Sequence, residues 1–142
     1  MADTLKGFTV TITSKDGKTE IDDSWETVSG GELELLASEA TPSAAVARIR
    51  KSVSELFLQG PPSISRKAFL TWLDEAGSGK DSRRDVTITL LRPDGSAARI
   101  TVYHDCFITH YTFPELDSSS HDALQERTGF KASHITFGGG ST

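Results

Sequence analysis

His104, Cys106 and His110 are separated by even numbers of residues, so on a regular strand two imidazoles and a thiol share one face. By type they are three zinc ligands. At ~3.3 Å of rise per residue, His110 lies about 20 Å beyond His104. One flat strand cannot bring all three within the roughly 2.0–2.3 Å of a zinc bond. His104 with Cys106 could still join ligands from elsewhere, but buried or interface roles are the commoner fate of such residues. Gly77-Ser78-Gly79-Lys80 invites a phosphate-loop reading. It lacks the first Gly (position 74 is Asp) and the Ser or Thr after Lys80 (Asp81), and it follows a helix where a phosphate loop opens one. A helix-to-strand turn is expected there. Ser118 to Asp122 places Ser, His and Asp side by side. Triads are defined by geometry, and adjacent residues rarely aim at one atom. Glu32 and Glu34 stand about 6.5–7 Å apart on one strand face, a spacing suited to inverting glycosidases, but no pocket that would raise a carboxyl pKa is legible around them. The sequence therefore predicts no catalytic, cofactor-binding or metal-binding residue, and no enzyme.

The elements that carry these residues are mostly strands. Phe8, Val10 and Ile12 alternate with threonines, as do Val86, Ile88 and Leu90. Leu33 and Leu35 oppose Glu32 and Glu34 in a run over 25–36 that is interrupted by Gly30-Gly31. Leu56 and Leu58 oppose Glu55 and Gln59 over 53–59. Long runs over 98–113 and 130–137 complete about six strands, rich in the β-branched and aromatic residues that strands prefer. Residues 65–76 read as one helix with Phe69, Leu70, Trp72 and Leu73 on its apolar face, and it lies between the third and fourth strands. Ser63 or Ser65 is its cap and Gly77 its left-handed terminus. Residues 43–51 read as a weak helix or a loop, and 138–142 as a flexible tail. The expectation is one domain over residues 1–142, mainly β with one α-helix, an antiparallel six-stranded barrel or sandwich.

Composition narrows the function. The 142 residues hold 15 basic and 20 acidic side chains, a net charge of -5, against a protein that binds nucleic acid by neutralising phosphates. A single cysteine excludes an internal disulfide. The polar start is unlike a signal peptide, and no apolar run nears the ~20 residues of a membrane helix, so a cytosolic product with no membrane segment is expected. Charge is segregated: residues 15–39 carry eight acids against Lys15 and Lys18. Arg48, Arg50, Lys51, Arg66 and Lys67 face Glu55 alone within 40–67. These are either ordinary solvated loops or complementary patches between copies.

The order of segments resembles the tail tube protein family of contractile phage tails and related contractile injection systems. Glu55-Leu56-Phe57-Leu58-Gln59-Gly60-Pro61 is similar to the family's strand before its helix, and residues 65–73 to that helix with its inward Trp. Residues 83–91 followed by Asp94-Gly95 resemble its basic approach to a hairpin, and residues 106–117 its aromatic Tyr-x-x-Pro-x-Leu-Asp segment. Gly7 to Val10 and Trp25 to Gly30 resemble its two openings. The likeness spans 7–137, but residues 31–52 depart from it, being Ala-rich where the family carries a Gly-rich charged loop. The haemolysin-coregulated tube protein of type VI secretion shares the fold.

The resemblance implies hexameric rings stacked into a hollow inner tube that conducts DNA or protein cargo, with a contractile sheath and a baseplate as partners. It implies assembly in a host cytoplasm and residence in a virion tail or injection particle. A type VI tube protein or a tube-end or baseplate adaptor are alternatives, and a monomeric ligand-binding β-barrel is a third class. Phe69, Trp72 and Leu73 are expected to anchor the helix. Arg48, Arg50, Lys51, Arg83 and Arg84 are expected to contact the acidic segment of a neighbour. Glu32, Glu34 and Glu55, with Gln59 and Ser54 beside them, are expected to face an acidic or neutral lumen.

Overall fold

The structure is a computed structural model that describes residues 7–14, 17, 19–22, 25–37, 49–62, 66–79, 82–114, 116, 119 and 124–139. In chain order the elements are β1 (Phe8–Thr13), β2 (Thr19–Asp22), β3 (Thr27–Gly30), β4 (Leu33–Ala37), β5 (Ile49–Val53), β6 (Leu56–Gly60), α1 (Lys67–Gly77), β7 (Arg84–Leu91), β8 (Ala97–Thr112), β9 (Glu126–Lys131) and β10 (His134–Gly139). The expected class holds: a mainly antiparallel β chain with one helix among the described residues. The count of six strands does not. Ten are present among the described residues, and the helix lies between β6 and β7.

The undercount has local causes. Gly30 and Gly31 take φ of 74° and 64°, the left-handed region that favours glycine, and they divide one apolar run between two sheets. A Cβ at Gly30 would lie 2.2 Å from the Glu55 carbonyl oxygen, and one at Gly31 2.6 Å from the Tyr103 hydroxyl. Ser54 and Glu55 separate β5 from β6, and Ala132 and Ser133 separate β9 from β10, in both cases without a left-handed residue.

Eight strands form one sheet in the order β2-β1-β7-β8-β9-β6-β3, with β10 also on β8, while among the described residues β4 and β5 pair only with each other. The sheet does not close into a barrel; it ends at β2 and β3. β8 is the shared spine. β10 pairs with its residues 99–104 and β9 with its residues 107–112, along the edge opposite β7. Pairing with β7 stops at Cys106, so the other edge of 107–112 has no strand partner among the described residues.

The core follows the period-two pattern where the strands are regular. Val10, Ile12, Val86, Ile88, Leu56 and Leu58 are buried between half-exposed neighbours. The helix closes over them through Phe69 and Trp72, both 0% exposed, and Leu73 is partly buried against the same cluster. Trp72 stacks on Phe130 at 4.8 Å and 4°, and Phe69 meets Trp25 edge-on at 5.2 Å. Burying such side chains contributes about 1.5–3 kcal/mol each. Leu70, expected on the apolar face, is instead 43% exposed. The helix ends differently too. Gly77 stays inside it, Ser78 caps it by donating from N to the Asp74 and Glu75 carbonyls, and the left-handed residue is Gly79. Arg66 occupies the N-cap position without a side-chain capping bond; Ser63 and Ser65, the expected caps, lie outside the described residues. In the segment read as helix or loop, residues 49–51 belong to β5, and 43–48 lie outside the described residues.

Candidate functional site

The residues that suggested chemistry are dispersed. Asp105 takes φ of 52°, and the β7–β8 register slips between Arg84/Val86, a bulge that inverts the face of everything beyond it. A second slip against β9, between Ile108 and His110, inverts it again. Even spacing therefore does not place His104, Cys106 and His110 together. Cys106 is buried, its Sγ 3.2 Å from the Tyr103 carbonyl oxygen, and burial pushes its thiol up to about 12, so it is no thiolate at neutral pH. His104 stacks on His134, and His110 Nε2 lies 2.8 Å from the Thr112 hydroxyl. No three His, Cys, Asp or Glu side chains among the described residues converge as a metal site requires. The Gly77-Ser78-Gly79 segment is the expected turn after the helix, though Lys80 lies outside the described residues. Of residues 118–122 only Ser119 is described.

The arrangement offers surfaces for assembly. In the β4–β5 hairpin, Glu32, Glu34, Leu33 and Leu35 are all exposed, Leu35 by 56%, while Val53 of β5 is buried in the core. The expected opposition of buried leucines to exposed glutamates is thus absent. The hairpin's base is fixed, with Glu32 and Ser54 exchanging bonds of 2.8 and 2.9 Å and Gly31 N donating to the Glu55 carbonyl at 2.8 Å. Glu55 stands in the break between β5 and β6, not on a strand face, and its Oε2 accepts from Thr109 Oγ1 at 3.0 Å. Ser54 is exposed, and Gln59 sits half-buried in β6 between Thr27 and Arg127. Arg50 and Lys51 pair across the hairpin with Leu36 and Leu35; their side chains, and the whole of Arg48, lie outside the described residues. Arg83 is exposed. Arg84 is engaged within the chain, its guanidinium 5.7 Å above the Trp72 ring and 3.0 Å from Glu75 Oε2. Further apolar side chains stand open at Phe107, Phe113, Leu116 and Phe137.

One group beneath these surfaces gave no sign in the sequence. Arg66, counted there within a basic segment, is fully buried and paired with Glu126 of β9, which is 4% exposed. Tyr111 of β8 donates to the second Glu126 oxygen at 2.7 Å, and Trp25 lies 3.7 Å under the guanidinium. The network ties the start of the helix to β8, to β9 and to the residue just before β3, all at the β9-β6-β3 end of the sheet. Sixty residues separate Arg66 from Glu126, and no local pattern links them.

No protein-family model matches the chain, and no curated protein matches it by sequence. Solved structures do match it. A chain of the anti-feeding prophage baseplate superposes with a TM-score of 0.72 at 12% identity, covering 98% of this chain and 97% of that one. A chain of the PVC sheath-tube complex, an extracellular contractile injection system in its extended state, gives 0.69 at 16% identity over 97% and 92%. Hcp1 from Flavobacterium johnsoniae gives 0.55 at 16% identity over 93% and 96%. The fold is Hcp-like.

Proposed function

We propose that this chain is a structural subunit that assembles as hexameric rings, stacked into the hollow inner tube of a contractile tail or injection machine. The observation that carries the reading is an open antiparallel sheet of Hcp-like fold whose edges at β2, β3 and the outer side of 107–112 have no strand partner among the described residues. Unpaired edges template pairing with another chain. When the partner is a copy related by a closing rotation, the outcome is a ring; a second contact stacks the rings. The β4–β5 hairpin, with apolar side chains exposed, is suited to that second contact. A monomeric ligand-binding barrel fits less well, because the sheet is open and its interior is filled by packed side chains.

Within the tube, Arg48, Arg50, Lys51, Arg83 and Arg84 are assigned to contacts with the acidic segment of a neighbour. Glu32, Glu34 and Glu55 are assigned to the lumen wall. A conduit for DNA or protein cargo requires weak contacts, and a basic lining would hold phosphate by counterion release. A sheath and a baseplate are the outer partners, as the complexes containing the matched chains suggest. Helical reconstruction of the purified protein by electron microscopy tests the reading. Stacked six-fold rings with carboxylates on the inner wall are expected. A monomer at all concentrations overturns the tube, and a lumen lined by Lys and Arg overturns the conduit.

A further inference from the structure

At the start of β10, His134 stands directly across from His104 of β8. Their rings stack with centroids 4.4 Å apart, 9° from parallel. Each is anchored at Nδ1 by an oxygen. His104 Nδ1 lies 3.5 Å from Asp85 Oδ2 on β7, and Asp85 is itself held by the Asp105 backbone N–H at 3.0 Å. His134 Nδ1 lies 2.9 Å from Ser133 Oγ. His104 Nε2 is 2.8 Å from the hydroxyl of Thr136, two residues along the same face of β10. Asp85, His104 and His134 thus form a row across three adjacent strands, and all three are reachable from solvent. Arg84, beside Asp85 on β7, is paired with Glu75.

We propose that His104 and His134 form a two-histidine clamp for a transition-metal ion of the Cu2+, Ni2+ or Zn2+ class. Imidazole nitrogen suits these ions, whereas Mg2+ and Ca2+ take oxygen. Directly opposite positions on adjacent antiparallel strands, with ring centroids 4.4 Å apart, put the two imidazoles within reach of one ion. The stacked rings hold their lone pairs side by side, so binding requires both partly exposed side chains to change rotamer, which unstacks the rings, releases the Asp85 and Ser133 contacts and lets one nitrogen of each reach a common ion. Thr136 gives up its hydrogen bond in the process. Two imidazoles do not fill a coordination sphere, so water completes it and the ion exchanges readily, unlike a four-ligand structural zinc. A bound ion would staple β10 to β8 at its first residue. The clamp lies within one chain and stands independently of the tube reading.

Isothermal titration of the full-length protein with CuCl2, NiCl2, ZnCl2 and MgCl2 tests it. We expect saturable binding of one ion per chain, tightest for Cu2+, and none for Mg2+. His134→Ala, at an exposed position, should abolish it while leaving the circular dichroism spectrum unchanged. His110→Ala and His121→Ala should leave it intact. Cu2+ should broaden the NMR signals of His104 and His134 first. Absence of saturable binding, or binding that survives the His104→Ala/His134→Ala double substitution, overturns the clamp.

Discussion

Arg66 is a cation with no route to solvent, and its pairing with Glu126 makes the helix position depend on two buried charges. Buried pairs add little net stability against apolar replacements, but breaking one leaves an uncompensated charge. Arg66→Ala should therefore lower the urea-unfolding free energy by about 3–5 kcal/mol. The double change Arg66→Met/Glu126→Leu should cost far less than the single one. Tyr111, on the same carboxylate, gives a pH dependence. Burial first, and then its hydrogen bond to Glu126, push the phenol from 10.0 up to about 12. Because the folded value lies above the unfolded one, the protonated phenol favours the folded state. That stability is complete below pH 10.0 and is lost as pH rises towards about 12. Alkaline difference spectra should show tyrosine ionising later in the folded than in the unfolded chain, and Tyr111→Phe should flatten the alkaline fall in melting temperature. None of this was legible in the sequence, because a long-range ion pair has no periodicity and Arg66 looks like any other surface arginine.

At the scale of the element, the helix is where reading and structure agree best. Phe69, Trp72 and Leu73 repeat with helical spacing beside Pro61-Pro62, which bars upstream extension, and all three meet the core. Trp72→Ala should cost roughly 3–5 kcal/mol. Trp72→Phe should cost distinctly less, since the indole N–H it removes is buried with no hydrogen-bond partner among the described residues. Chemical denaturation of the three proteins orders them. The strands were legible as types but not as lengths. Alternation marks a pleated segment, yet one bulge residue inverts it, and Asp105 carries no sequence mark of its φ of 52°. Gly30-Gly31 was legible as an interruption; that it passes the chain to another sheet was not, because the obstacle is Tyr103, far along the chain. Gly31→Ala sets a side chain against both the backbone and that hydroxyl. It should cost about 1–3 kcal/mol from the backbone conformation alone, read as a lower unfolding midpoint.

For the whole molecule, the contest is between closure within one chain and closure between copies. The open sheet and segregated charge favour the second, but an exposed ion pair contributes only about 0–1 kcal/mol, so several must act together beside strand pairing and apolar contact. Reversing Arg48, Arg50 and Lys51 to Glu should shift the products from tubes to free rings or monomers, as seen by sedimentation and negative-stain microscopy, with the melting temperature of the isolated subunit little changed. Raised salt should act in the same direction on the unmodified protein. The β4–β5 hairpin bears on the kinetics of that assembly. A two-stranded ribbon with exposed leucines is marginally stable by itself, so the first copies to meet must fix it while gaining few contacts in return. Copies added to an existing end find a template already set. Growth of this kind has a slow, concentration-steep lag followed by rapid elongation, and seeds abolish the lag. In a cell, such a lag would keep free subunits from polymerising until something else supplied the first ring.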